Sequence, residues 1–190
     1  MRPTALIVSA LLSFCLGLAG CGKQGPEQLE GGGITKRTSV GVFYKDPFGF
    51  TIRFDSAADI TASQKEKSGK GGTLKTRRVK ALHQGGLAVE FSAQLGSKPW
   101  PEDMATKVSS LMQKDVAGKG FEITSKGKCT LGKLEGEGYR ANIGGGRGRA
   151  CIVVRGELMV VMTGSWGDTP EPEEIKKPFA TFGFNKPDKK

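Results

Sequence analysis

Leu87, Val89, Phe91, Ala93 and Leu95 occupy every second position, with Ala88, Glu90, Ser92 and Gln94 between them. Successive side chains of a strand leave on opposite faces, so this alternation predicts a strand with one face in a core and the other toward water. Such a strand needs neighbours to pair with and a layer to cover it. The chain offers both. Phe50, Ile52 and Phe54 alternate with Thr51, Arg53 and Asp55, after a turn at Asp46-Pro47-Phe48-Gly49 and a short strand carrying Val40, Val42 and Tyr44. Residues 121–129, 134–143, 150–155 and 158–164 are four further strand candidates, the last two apolar on both faces and therefore central. Short connections, among them Gly132-Lys133 and the loop 144–148, favour antiparallel neighbours.

Between residues 99 and 119 the period changes. Met104, Val108, Leu111, Met112 and Val116 fall on one helical stripe. Pro101 suits an early helical position, Glu102 and Asp103 complement the positive helix end, and Gly118 marks a stop. A shorter helix is expected over 170–179, where Glu171, Glu173 and Glu174 precede Lys176 and Lys177, with Pro178 bending or ending it. Residues 55–72 read as a loop, with or without a short helix. In 74–82, Lys75, Arg77, Arg78 and Lys80 equal the apolar positions in number, as in a solvated or edge strand. The expected fold is α+β: one domain over 40–184, an antiparallel sheet flanked by one long and one short helix, followed by a polar tail, 185–190.

Ahead of this domain, Arg2 and an apolar run from Ala5 to Leu18 have the pattern of an export signal. An uncleaved membrane anchor is the rival reading, because the uncharged stretch 3–22 approaches the roughly 20 residues a span requires. The ending Leu18-Ala19-Gly20-Cys21 resembles the lipobox of bacterial lipoproteins. That resemblance implies cleavage before Cys21, a diacylglyceryl group on its thiol and acylation (palmitate) of the new amino group. Two or more acyl chains anchor a protein stably without a transmembrane helix. Gly22 and Lys23, with no aspartate after the cysteine, resemble the outer-membrane sorting pattern. Residues 1–20 are then the signal peptide, and 21–39, with Gly31-Gly32-Gly33, are the lipidated cysteine and a flexible tether.

An exported chain of formal net charge +10 is expected to meet anionic lipid or polymer, or an acidic envelope protein, rather than nucleic acid. Of four cysteines, Cys15 leaves with the leader and Cys21 takes lipid. Cys129 and Cys151 remain in a compartment that permits disulfides. A bridge, two buried thiols, and redox or metal work all stay open at this level.

No motif for catalysis, a cofactor or a metal emerges. The densest basic segment comprises Lys65, Lys67, Lys70, Lys75, Arg77, Arg78 and Lys80; it is either a solvated face or a contact for anionic lipid or polymer. Arg147 and Arg149 bind an anion or keep a loop wet. The glycines before them lack the Gly-Lys-Ser/Thr ending of a phosphate loop. His83, the lone histidine, lies in a turn without the neighbours of a triad. Met104, Met112, Met159 and Met162 fit core packing better than a soft-metal site.

The stretch Tyr44-Lys45-Asp46-Pro47-Phe48-Gly49-Phe50-Thr51-Ile52-Arg53-Phe54 resembles the opening strand of PsbP-like domains and related small bacterial lipoproteins. Residues 175–184, with Thr181-Phe182, resemble their terminal helix and strand. This implies a non-enzymatic binding or assembly module. A small-ligand or anion-binding lipoprotein, and a hydrolase acting on envelope material, are the alternatives.

Overall fold

The computed structural model describes residues 26–69 and 72–184. Cys21 and the leader lie outside them, as do Lys70 and the tail 185–190. The described chain forms two antiparallel sheets and two helices, an α+β fold. The smaller sheet runs, in spatial order, β1 (Glu27–Gln28), β2 (Ile34–Thr38), β3 (Gly41–Lys45), β4 (Phe50–Phe54) and β12 (Gly183–Phe184). The larger runs β5 (Asp59–Gly69), β6 (Gly72–Leu82), β7 (Ala88–Leu95), β11 (Leu158–Gly167), β10 (Gly146–Arg155), β9 (Leu134–Ile143) and β8 (Glu122–Leu131). Two sheets thus stand where the sequence led us to expect one.

The alternation of β4 and β7 explains the packing. Val42, Tyr44, Phe50, Ile52 and Phe54 of the smaller sheet share one buried cluster with Val79, Ala81, Val89, Phe91, Val160 and Met162 of the larger. The Phe50 and Phe91 ring centroids are 4.5 Å apart, and Phe182 stacks on Phe50 at 5.6 Å. Each large side chain so covered stabilises the fold by about 1.5–3 kcal/mol. Helix α2 (Glu173–Thr181) adds Ile175 and Phe179 to this core. Gly164 leaves room for them, since a β-carbon there would sit 2.7 Å from Ile175 Cγ2.

Helix α1 (Met104–Gly118) packs elsewhere. Met112 and Val116 rest on Tyr139, Ala141 and Ala150, which alternate with the inward residues of β9 and β10 and so belong to the outer face of the larger sheet. Leu111, expected on the buried stripe, is 65% exposed. The helix lies on the sheet along the line of Met112 and Val116, and Leu111 falls to its side.

Three segments differ from the sequence reading. Residues 59–69 are not a loop: β5 pairs with β6 from Asp59↔Leu82 to Gly69↔Gly72. Residues 65–69 are exposed, so this half of the hairpin needed no apolar alternation. Strand β6 is interior, between β5 and β7, and not an edge. The supposed tether enters the smaller sheet well before Val40, with Glu27 opposite Thr35 and Ile34 opposite Lys45. Only Thr35 is buried in β2, which left no period to detect.

Cys129 of β8 and Cys151 of β10 form a disulfide, with Cα atoms 5.8 Å apart. Strand β9 lies between theirs, and the bridge crosses it at Gly138, where a β-carbon would stand 3.0 Å from Cys129 Sγ.

Candidate functional site

The six candidate anion-contacting residues do not converge. Alternation along β6 sends Lys75 and Arg77 to the inner side and Arg78 and Lys80 to the outer. Lys75 Nζ is 3.9 Å from Glu66, Lys80 Nζ 3.0 Å from Glu90, and Arg147 Nη2 3.0 Å from Asp168. Arg149 donates to Glu171 at 2.5 Å, sharing that carboxylate with Arg140 at 2.8 Å, while its guanidinium lies 4.0 Å over the Phe179 ring. Burial pushes the Glu171 carboxyl up, but the hydrogen bonds from Arg149 and Arg140 more than offset this and hold it below the usual range.

Arg77 is fully buried. Its Nε donates to Asp46 Oδ2 at 2.8 Å and to the Tyr44 hydroxyl at 2.9 Å, and Tyr44 in turn donates to Asp46 Oδ2. Burial, and then the Asp46 charge, push the Tyr44 phenol far above its ordinary range. Asp46 Oδ1 also accepts the Phe48 N–H at 2.8 Å, which closes the turn between β3 and β4. Arg77 Nη1 and Nη2 find no hydrogen-bond partner among the described residues. They abut the turn Glu30–Gly32, and a β-carbon at Gly33 would overlap Nη2 and stand 2.6 Å from the Tyr44 hydroxyl. Sequence reasoning missed this pair. Its signal was Arg77 sharing the inward phase of Val79 and Ala81.

Arg78 is the one candidate without an acidic partner among the described residues. It stands in the part of the larger sheet that α1 leaves open. Cross-strand pairing sets Ser63, Arg78, Ser92 and Val161 in one row and Thr61, Lys80, Glu90 and Thr163 in the next. With Asp115 and Lys119 at the end of α1, these rows line a groove of about 870 Å³. Hydroxyls and cations on a rigid sheet can hold carboxylate, phosphate or sulfate groups by charge-assisted hydrogen bonds. Nothing in the groove pairs a nucleophile with a base, and the described residues contain no group of three or more His, Cys, Asp or Glu able to hold a metal.

His83 is buried, and neither ring nitrogen is hydrogen-bonded among the described residues. Burial lowers its pKa against the opposing pull of Asp55 and Glu174. Asp55 instead accepts the Ala57 N–H at 3.0 Å and lies 3.9 Å from Lys177, so no His–carboxylate dyad is assembled. Among the described residues no helix is long and apolar enough to cross a membrane.

No family model matches the sequence, and no curated protein matches it significantly. A Bacteroides thetaiotaomicron VPI-5482 protein with a 1.50 Å crystal structure is similar in shape at a TM-score of 0.45 and 14% identity. The similarity covers 72% of this chain and 45% of that one, so the match spans less than half of the other protein.

Proposed function

We propose that this chain is a lipoprotein of the bacterial cell envelope, anchored through Cys21 in the outer membrane, whose domain binds or supports an anionic partner without chemistry of its own. The open groove beside α1 carries the binding half of this reading: among the described residues Arg78 has no acid to neutralise it, and the hydroxyls of Ser63 and Ser92 flank it across the strands. The lipobox carries the other half. A PsbP-like identity for the domain belongs to the same proposal. It is supported by the Tyr44–Phe54 motif, which makes the end of β3, the Asp46 turn and β4, and by Thr181-Phe182, where α2 ends and the chain turns into β12.

Photo-crosslinking in intact cells from position 92 tests the groove. A discrete adduct that Arg78→Glu removes, with none from position 111 on the exposed flank of α1, is the expected result. Absence of an adduct from position 92 refutes a partner at this face. For the anchor, Cys21→Ser is expected to abolish lipid labelling and release the protein from the membrane fraction.

A further inference from the structure

Five chain steps separate Cys21 from Pro26, the first described residue. At full extension they reach at most about 18 Å. A domain of this length has a radius of gyration of about 15 Å, so a lipid on Cys21 holds it less than one diameter from the bilayer. Because β1 is the edge strand of the smaller sheet, the tether delivers that sheet first.

The outer face of the smaller sheet suits such a position. Ile34, Val40 and Phe43 are 43%, 54% and 42% exposed, three of the five exposed large hydrophobic residues of the described chain. Around them stand Lys36, Lys45 and Arg53, none in an ion pair among the described residues. Register places Lys36, Phe43 and Arg53 side by side across three strands, and Ile34 next to Lys45. The Arg53 guanidinium lies 5.4 Å over the Phe43 ring and donates to Val40 O at 2.6 Å, tying the β2–β3 turn to the face. From Ile34 to Phe54 the one carboxylate is Asp46, which is buried and paired with Arg77. Neither helix of the described residues covers this face: α2 enters the core from the other side of β4, and α1 lies on the larger sheet.

We infer that the outer face of β2, β3 and β4 rests on an anionic phospholipid surface, with Ile34, Val40 and Phe43 entering the headgroup layer and Lys36, Lys45 and Arg53 meeting phosphates. The inference builds on the lipid-anchor reading. It also gives the groove a direction, since the outer faces of two sheets packed on one core point opposite ways. The membrane lies on one side and the groove beside α1 opens on the other.

The test uses the chain from Gly22, which keeps every described residue, and vesicles of phosphatidylglycerol mixed with phosphatidylethanolamine. Each basic residue near such a surface contributes about 1 kcal/mol. Lys36→Glu/Lys45→Glu is therefore expected to weaken sedimentation with these vesicles at least roughly 30-fold. Ile34→Ser/Val40→Ser should weaken it too, while Arg78→Glu on the opposite sheet leaves it within about twofold; matched thermal unfolding checks that each variant is folded. The inference is overturned if the unaltered chain ignores anionic vesicles, if the two double variants bind as it does, or if Arg78→Glu costs as much as they do. The anchor is judged separately by Cys21→Ser in cells, so either reading can fail while the other stands.

Discussion

Arg77 Nε lies 2.8 Å from Asp46 Oδ2, and neither side chain has surface open to solvent. This pair joins the two sheets: Asp46 closes the β3–β4 turn of the smaller one, and Arg77 projects from the middle of β6 in the larger. Removing one member of a buried pair strands the other charge, which costs more than the pair is worth intact.

Arg77→Met is accordingly expected to destabilise the protein by about 3–5 kcal/mol, read as a lower urea midpoint. Adding Asp46→Asn to it should restore part of the loss, because no uncompensated charge then remains. A double variant as unstable as the sum of the singles would show that the two residues act independently. Gly33→Ala should be costly on its own, since its β-carbon meets both Arg77 and Tyr44.

The disulfide and the glycine beneath it form a second testable unit. Closing a loop of 22 residues is worth roughly 3 kcal/mol by loop entropy. Cys129→Ser/Cys151→Ser should lower stability by about that amount. Gly138→Ala should disturb the same bridge from the middle strand, since its β-carbon would stand 3.0 Å from Cys129 Sγ and overlap Ala150 O. Free-thiol titration of the purified Gly138→Ala protein checks this: the expected outcome is an increased fraction of reduced cysteine.

Glu171 is held by two arginines, and Arg149 packs on Phe179 of the core. Hydrogen bonds to a charged group contribute about 1.5–3 kcal/mol, so Glu171→Gln should cost an amount in that range at pH 7. Its carboxyl is depressed in the fold, so its contribution is present above the ordinary Glu value and disappears as pH falls below it. The acid limb of the urea midpoint below about pH 4.5 should therefore flatten in Glu171→Gln.

How much of this was legible in the sequence follows from where the apolar periods lie. β4, β7, β10 and β11 each press an alternating or wholly apolar set into a core, and α1 carries a helical stripe, so their types could be read directly. β2 buries one threonine, and the outer half of the β5–β6 hairpin has no sheet above it. Neither produces a period. The same cause misassigned the basic segment. A count of charges along 74–82 cannot tell which face each one takes, and one inward step separates a solvated arginine from a buried one. Alternation applied to the charged residues themselves would have placed Arg77 with Val79 and Ala81, opposite Arg78 and Lys80. The groove, by contrast, exists because α1 covers three strands and leaves four open, which depends on the packing of distant segments.

His83 provides a pH dependence that separates cleanly from that of Glu171. Its ring is buried without a hydrogen-bond partner among the described residues, and burial lowers its pKa below the usual 6.5 while Asp55 and Glu174 pull the other way. A histidine harder to protonate in the fold than in the unfolded chain means that the unfolded state binds more protons between the two pKa values. Stability therefore rises with pH through that window, and it falls as pH drops below about 6.5. His83→Leu removes the titrating group and keeps an apolar side chain in the site. Its urea midpoint should change less between pH 7 and pH 5 than that of the unaltered protein, a range that leaves Glu171 ionised. Parallel slopes for the two proteins would mean that His83 is free to protonate in the fold, through movement of its turn toward Asp55 or solvent.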